Sequence, residues 1–202
     1  MWRVPACWRD KTCFIIGGGP SVLGQNIEQL KGHRVIAINS SWEIAPFAQY
    51  CFFGDVRWYN HHEKAFKAYT GIKISCAGPG WKHADIRFLQ KVHPPGLQTD
   101  PEKITVRRTS ATGAINIAFH MGCRRIVLIG IDQCVAPDGK THHHPAHPFP
   151  WVADCFQHQY DDFAGIVGDL RARQIDVVNA SPVSTLPWWP KVDLDEEVRD
   201  DH

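Results

Sequence analysis

Short apolar runs without polar alternation recur along the chain, each closed by glycine, asparagine, aspartate or serine. Runs of this kind are expected of strands covered on both faces. They predict strands over Lys11–Ile16, Arg34–Ile38, Tyr50–Phe53, Ile72–Cys76, Ile104–Arg107, Arg125–Ile129 and Ile175–Val178. Between them, Val22, Leu23, Ile27 and Leu30 have helical spacing over Ser21–Leu30, and Lys31-Gly32 supplies a C-cap. Further helices are predicted over Val56–Tyr69, Thr112–Met121 and Trp151–Arg173. An irregular insertion is expected over about 77–103, where Pro94-Pro95-Gly96 breaks any pattern, and a Pro/His-rich loop over 133–150. The acidic end, 191–202, reads as a short helix or a solvated tail. Strands alternating with helices imply right-handed βαβ crossovers and a mostly parallel sheet. Ligands of such sheets sit beyond the carboxyl ends of the strands, at a switch point in strand order. Gly17–Gly19, Asn39, Asp55, Asp132 and Asn179 should therefore share one rim.

The length, 202 residues, suits one nucleotide-binding α/β domain spanning 1–202. With 22 basic and 21 acidic residues, no charge footprint argues for nucleic acid or a membrane surface. No apolar run approaches the roughly 20 residues of a membrane span, and the opening residues lack a signal-peptide apolar core. Seven cysteines without a Cys-x-x-Cys pair read as reduced thiols of a cytoplasmic protein.

The chemistry gathers first at Gly17-Gly18-Gly19-Pro20-Ser21, which follows the first strand. Glycines permit unusual dihedrals and close backbone approach, Pro20 suits a first helical turn, and the helix start would cradle an anion such as phosphate. A dinucleotide fingerprint fits badly: Val22 stands where Gly-x-Gly-x-x-Gly needs glycine, and Asn39 where a ribose-binding acid is expected. Asn39 offers a donor and an acceptor to a base or sugar, or caps the segment after it. Asp55 lines the rim or caps the helix after it. Thr109-Ser110-Ala111-Thr112-Gly113 opens a helix with hydroxyls and a glycine, a second candidate anion or sugar site or in part an ordinary N-cap, with Asn116 four residues past Thr112 on one helical face and Arg107 and Arg108 upstream. In Thr141–His147, Pro145 rules out a helical pair of metal ligands, so no metal is assigned. His143, His144 and His147 fit better as general bases or phosphate contacts beside a nucleotide.

Together these segments resemble a known superfamily. Ile-Ile-Gly-Gly-Gly-Pro-Ser, Ala-Ile-Asn39-Ser-Ser, Ala-Thr112-Gly113 and Arg-Ile-Val-Leu-Ile-Gly130-Ile-Asp132 are similar to motifs of the bacterial lipooligosaccharide sialyltransferases and the 6-hydroxymethylpterin diphosphokinase-like proteins. Phe53–Tyr59, the His-x-x-His-Pro loop and Asn179–Leu186 resemble uncharacterised bacterial and phage members most. Two departures stand out: Gly18 replaces the asparagine of the sialyltransferase turn, and Gln133 and Cys134 replace the phosphate-contacting tyrosines.

The resemblance implies a Rossmann-like, three-layer α/β domain. It implies a cytoplasmic nucleotide- or nucleotide-sugar-dependent transferase, glycosyltransferase-like, with a CMP-type donor and an unidentified acceptor. Phosphate would lie at Gly17–Ser21 and Gly130, base and sugar at Asn39 and Asp132, and Asp55, Thr112, Gly113 and Asn116 nearby. Two alternatives stay open. One is a pyrophosphokinase-type transfer from ATP, with Mg²⁺ held by Asp55 and Asp132. The other is an inactive nucleotide-binding or assembly protein, for which Trp188 and Trp189 offer a partner or homo-oligomer surface unless they dock back.

Overall fold

In the computed structural model, which describes residues 1–78, 81, 83–145 and 154–201, the apolar runs form a parallel sheet. Its strands are β1 (Thr12–Ile16), β2 (Val35–Ile38), β3 (Tyr50–Phe53), β4 (Ile72–Ser75), β5 (Ile86–Phe88), β8 (Arg125–Ile129) and β9 (Asp176–Asn179). A separate parallel pair joins β6 (Gln90–Val92) to β7 (Lys103–Thr105). The helices are α1 (Val56–Phe66), α2 (Ser110–His120), α3 (Cys155–Ala172) and α4 (Leu194–Asp200). Strand order in the seven-stranded sheet is β5-β4-β3-β2-β1-β8-β9. The chain thus builds outward from β1 in one direction, then crosses to β8 on the other side. Ile16 pairs with both Ala37 and Ile129, so the carboxyl ends of β1 and β8 lie level at this reversal.

Alternate strand residues separate into two apolar layers, as a pleat of period two requires. Cys13, Ile15, Ile36, Phe52, Ile126 and Leu128 pack with Ala114 and Ile117 of α2 and Phe163 and Ile166 of α3. Phe14, Ile16, Ala37, Phe53, Val127 and Ile129 pack on the other face with Trp58 and Phe66 of α1 and Val198 of α4. The result is a three-layer α/β fold.

Several expectations need correction. Ser21–Leu30 is not one helix but two 3-10 stretches, Pro20–Gly24 and Ile27–Leu30, separated by extended Gln25 (φ −114°, ψ 147°). Leu23, counted in the apolar stripe, is 62% exposed, so the spacing did not define one buried face. The insertion is more regular than expected, since β5 extends the main sheet and β6 pairs with β7. Helix α2 starts two residues before the predicted Thr112. Residues 151–153, in the predicted third long helix, lie outside the described residues. The acidic end is a docked helix: Asp193 accepts the N–H groups of Asp195 and Glu196, and Glu197 pairs with Arg125 at 2.6 Å. Trp189 is buried and meets Phe163, while Trp188 meets Tyr160, so this tryptophan pair docks back on α3. All seven cysteines are free thiols. No helix among the described residues is long and apolar enough to cross a membrane.

Candidate functional site

The site lies where strand order reverses, between the turn after β1 and the turn after β8. The glycines of the first turn are there for proximity. A Cβ on Gly17 would stand 2.8 Å from the Gly130 carbonyl oxygen and 2.3 Å from Ile131 Cδ1. One on Gly19 would stand 2.5 Å from the Asp132 carboxyl and 2.7 Å from the same carbonyl. None of the three takes a left-handed backbone, contrary to the dihedral argument from sequence; Gly130 does, at φ 63°. The two turns are stitched by Gly17 and Gly19 N–H groups donating to Ile129 and Gly130 carbonyls, both at 2.7 Å. Gly18 alone faces the histidine loop, where a Cβ would be 3.2 Å from His142 Cδ2.

Ser21 and Asp132 bind each other. The Ser21 N–H and hydroxyl donate to the two carboxylate oxygens of Asp132 at 2.9 and 2.5 Å. Pro20 opens a 3-10 turn of only five residues, so no extended helix dipole stands behind the glycine turn, and the helix-start cradle proposed there from sequence is absent.

A cleft of about 290 Å³ opens beside these turns. Gly17–Gly19, Asn39, Asp55, Gly130 and Asp132 line it, as do His142 and His144. Asn39 takes a left-handed backbone (φ 50°) as β2 passes into a 3-10 turn. Asp55 caps α1 by accepting the Arg57 N–H at 2.8 Å, and its side-chain pairing with the same arginine lowers its pKa. The far wall is Thr109-Ser110-Ala111, where Thr109 caps α2 by accepting the Ala111 N–H. Gln133 also lines the cleft, and its Oε1 is buried with no hydrogen-bond partner among the described residues. Sequence reasoning met Gln133 only as a departure from the sialyltransferase tyrosines, and of its Thr109–Gly113 stretch the first three residues reach the cleft.

Thr112, Gly113 and Asn116 turn away from the cleft, a correction to the expected second anion site. Thr112 is fully buried, and its hydroxyl donates to the Thr109 carbonyl at 3.1 Å. Gly113 is the residue by which α2 approaches β3, because a Cβ there would be 2.7 Å from Phe52 Cε1. Asn116 is buried, accepting the N–H groups of Gln98 and Thr105 and donating to the Gln98 carbonyl. It pins the insertion to the core. Asn179, expected on the rim, likewise works inward, donating to the Ile131 carbonyl and the Ser184 hydroxyl.

The histidine loop folds over the glycine turn, and the His143 N–H donates to the Gly18 carbonyl at 2.8 Å. The His143 ring points to the Ser41 hydroxyl, 3.4 Å away, and not into the cleft. Burial, with His144 and His142 beside it, pushes its pKa down to about 4. Burial and His144 also lower that of His142. His144 Nδ1 lies 2.8 Å from the Pro145 carbonyl, an acceptor only, so Nδ1 carries a proton. Nε2 lies on the Gly18 side, 3.9 Å from where a Cβ on that glycine would be. His147 lies outside the described residues. Among the described residues no group of three His, Cys, Asp or Glu side chains is arranged to hold a metal ion.

A parallel α/β sheet with a cleft at its switch point is the architecture of many nucleotide-binding proteins. No protein-family model and no curated protein sequence matches the chain. In three dimensions it is similar to the sialyltransferase CstII from Campylobacter jejuni in complex with the substrate analogue cytidine 5′-monophosphate. That likeness has a TM-score of 0.55 at 11% identity and covers 91% of this chain and 85% of that one. The same enzyme in complex with CMP-3FNeuAc aligns at a TM-score of 0.49 and 12% identity, covering 90% and 86%. At 11% identity the likeness with the TM-score of 0.55 is one of fold.

Proposed function

We propose that the chain is a glycosyltransferase-like enzyme that binds a nucleotide sugar, of CMP type, in the cleft between the β1 and β8 turns. One observation carries the reading: the His144 ring lies in the cleft wall, its Nδ1 turned to the Pro145 carbonyl and its Nε2 toward the glycine turn at the sheet's switch point. The CMP-bound state of the similar sialyltransferase supports the choice of donor. The Gly18 backbone, whose neighbours' N–H groups are already donated within the protein, would face the donor phosphate, and Asn39 and Gln133 would take the polar edges of base or ribose. Asp132, saturated by Ser21, sets the shape of the rim. His144 Nε2 would accept the proton of the acceptor hydroxyl as it attacks the anomeric carbon and the nucleotide leaves. His142, also in the cleft wall, borders the leaving group, whereas His143 holds the loop. A bridging Mg²⁺ at Asp55 or Asp132 would share those carboxylates with the Arg57 guanidinium or the Ser21 hydroxyl, and the cation of Arg57 in particular disfavours it.

The test is titration of CMP, UDP and ATP by calorimetry, followed by CMP-sugar turnover. CMP should bind most tightly. His144→Gln should leave CMP affinity within twofold while lowering turnover by about 10²–10⁴-fold, the usual contribution of a general base. Binding of ATP alone, and only with Mg²⁺, would overturn the reading.

A further inference from the structure

The cleft does not end at its own walls. Asn39, Asp55, Arg108, Thr109, Ser110 and Cys155 also line a second chamber of about 450 Å³, so the two spaces are continuous. Three cationic side chains converge on that chamber from two segments of the chain. Lys91 comes from β6, and Arg107 and Arg108 come from the stretch between β7 and α2. Its wall holds a single carboxylate, Asp55, which Arg57 pairs at 2.7 Å. Asp162, behind Arg108, is occupied by that residue's backbone N–H at 2.6 Å. Among the described residues, Lys91, Arg107 and Arg108 form no ion pair. All three are exposed and Lys91 also acts on Asp55, so solvent and that carboxylate screen their repulsion, but the wall keeps an excess of positive charge that an anion would answer. Guanidinium forks suit phosphate and carboxylate alike.

Size decides what that anion belongs to. The first cleft, at about 290 Å³, is at the small end of ligand pockets, about 300–1,000 Å³. It suits a nucleotide, and leaves the sugar of the donor and the second substrate to the space beside it. Resting on the glycosyl-transfer reading above, we infer that the acceptor is anionic. Its phosphate or carboxylate is held by Lys91, Arg107 and Arg108 in the chamber next to the donor cleft, with its reacting hydroxyl turned back toward that cleft.

The experiment is calorimetric titration with inorganic phosphate, and with glucuronate as the carboxylate arm, each with and without saturating CMP. Lys91→Ala/Arg107→Ala tests the chamber. Gly18→Leu tests the donor cleft, with Arg108 left alone because it borders both. The expected result is that one of the two anions binds together with CMP. The double variant should lose the anion at least tenfold and CMP less than twofold, and Gly18→Leu should do the reverse. Whichever anion binds more tightly names the acceptor's charged group. Competition between anion and CMP, or loss of both in the double variant, would overturn the inference by making the chamber part of the donor site. Failure of both anions to bind while CMP binds would also overturn it. Anion binding without CMP binding would retain the anion subsite and sink the donor reading instead.

Discussion

Replacing Asn116 by alanine separates a structural residue from a ligand contact, because its buried amide has no direct line to the cleft. Its Oδ1 accepts the N–H groups of Gln98 and Thr105 at 2.9 and 3.0 Å, and its Nδ2 donates to the Gln98 carbonyl at 3.0 Å. The Thr105 N–H is buried and would be left without a partner, at about 1–3 kcal/mol. The Gln98 groups are only part-buried, so water can replace the amide there and each loss is about 0.5–1.5 kcal/mol. Alanine returns about 0.5 kcal/mol through helix propensity. The net destabilisation is about 1.5–5.5 kcal/mol, a large share of the roughly 5–15 kcal/mol that holds a domain folded. With a urea slope of about 2 kcal/mol per molar, the midpoint should fall by about 0.8–2.8 M in a fluorescence-monitored titration. CMP affinity of the folded variant should stay within threefold, because α2 meets the cleft at its first residues and not at Asn116. A midpoint unchanged within about 0.3 M, or tenfold weaker CMP binding without loss of stability, would refute this account.

Three further outcomes follow from the site. Gly19→Ala forces a Cβ to 2.7 Å from the Gly130 carbonyl oxygen, so it should destabilise the chain by about 1–3 kcal/mol. Gly18→Ala meets only a movable His142 ring and should leave the Tm within about 2 °C while weakening CMP; equal Tm losses in the two would refute the division of labour within the turn. The pKa values of His62, His120, His142 and His143 are lowered in the folded chain, chiefly by burial. As pH falls below the ordinary 6.5, the unfolded chain takes up protons that these rings refuse, so stability is lost between pH 6.5 and about 4. His143→Gln should remove about 2–3 kcal/mol of that acid-side loss, its share from a folded pKa of about 4; a slope unchanged from the wild-type chain in urea titrations at several pH values would count against the assignment. EDTA should change neither CMP binding nor CMP-sugar turnover, since Arg57 and Ser21 already engage the two carboxylates a bridging metal would share; loss of both on chelation would favour the Mg²⁺-dependent alternative.

What could be read from the sequence and what could not divides along physical lines. Tyr50–Phe53 and Arg125–Ile129 were legible to the residue, because a strand covered on both faces tolerates no polar interruption. β5 and β6 were not, since three-residue strands with exposed members leave no run to detect. The rim was legible because parallel topology sends every strand's carboxyl end the same way, which brought Gly17–Gly19, Asn39, Asp55 and Asp132 to one cleft. What failed was the reason assigned to each residue. The turn glycines were read as serving unusual dihedrals and close approach to a ligand, but Gly17 and Gly19, like Gly113, answer to the proximity of a second protein segment, over 100 residues from the first turn in the case of Gly130 and Asp132. No local pattern encodes such a contact. Asn116 was read outward because helical spacing aligned it with Thr112, yet the spacing fixes a face without saying which way the face points. Here that face is turned inward by the insertion, whose own backbone needed a partner. The same insertion supplies Lys91 and the approach to Arg107 and Arg108. The segment least legible in sequence thus builds one wall of the second chamber. A parallel sheet fixes its rim through its topology, whereas the charge beside that rim is left to whatever the inserted segment brings to its edge.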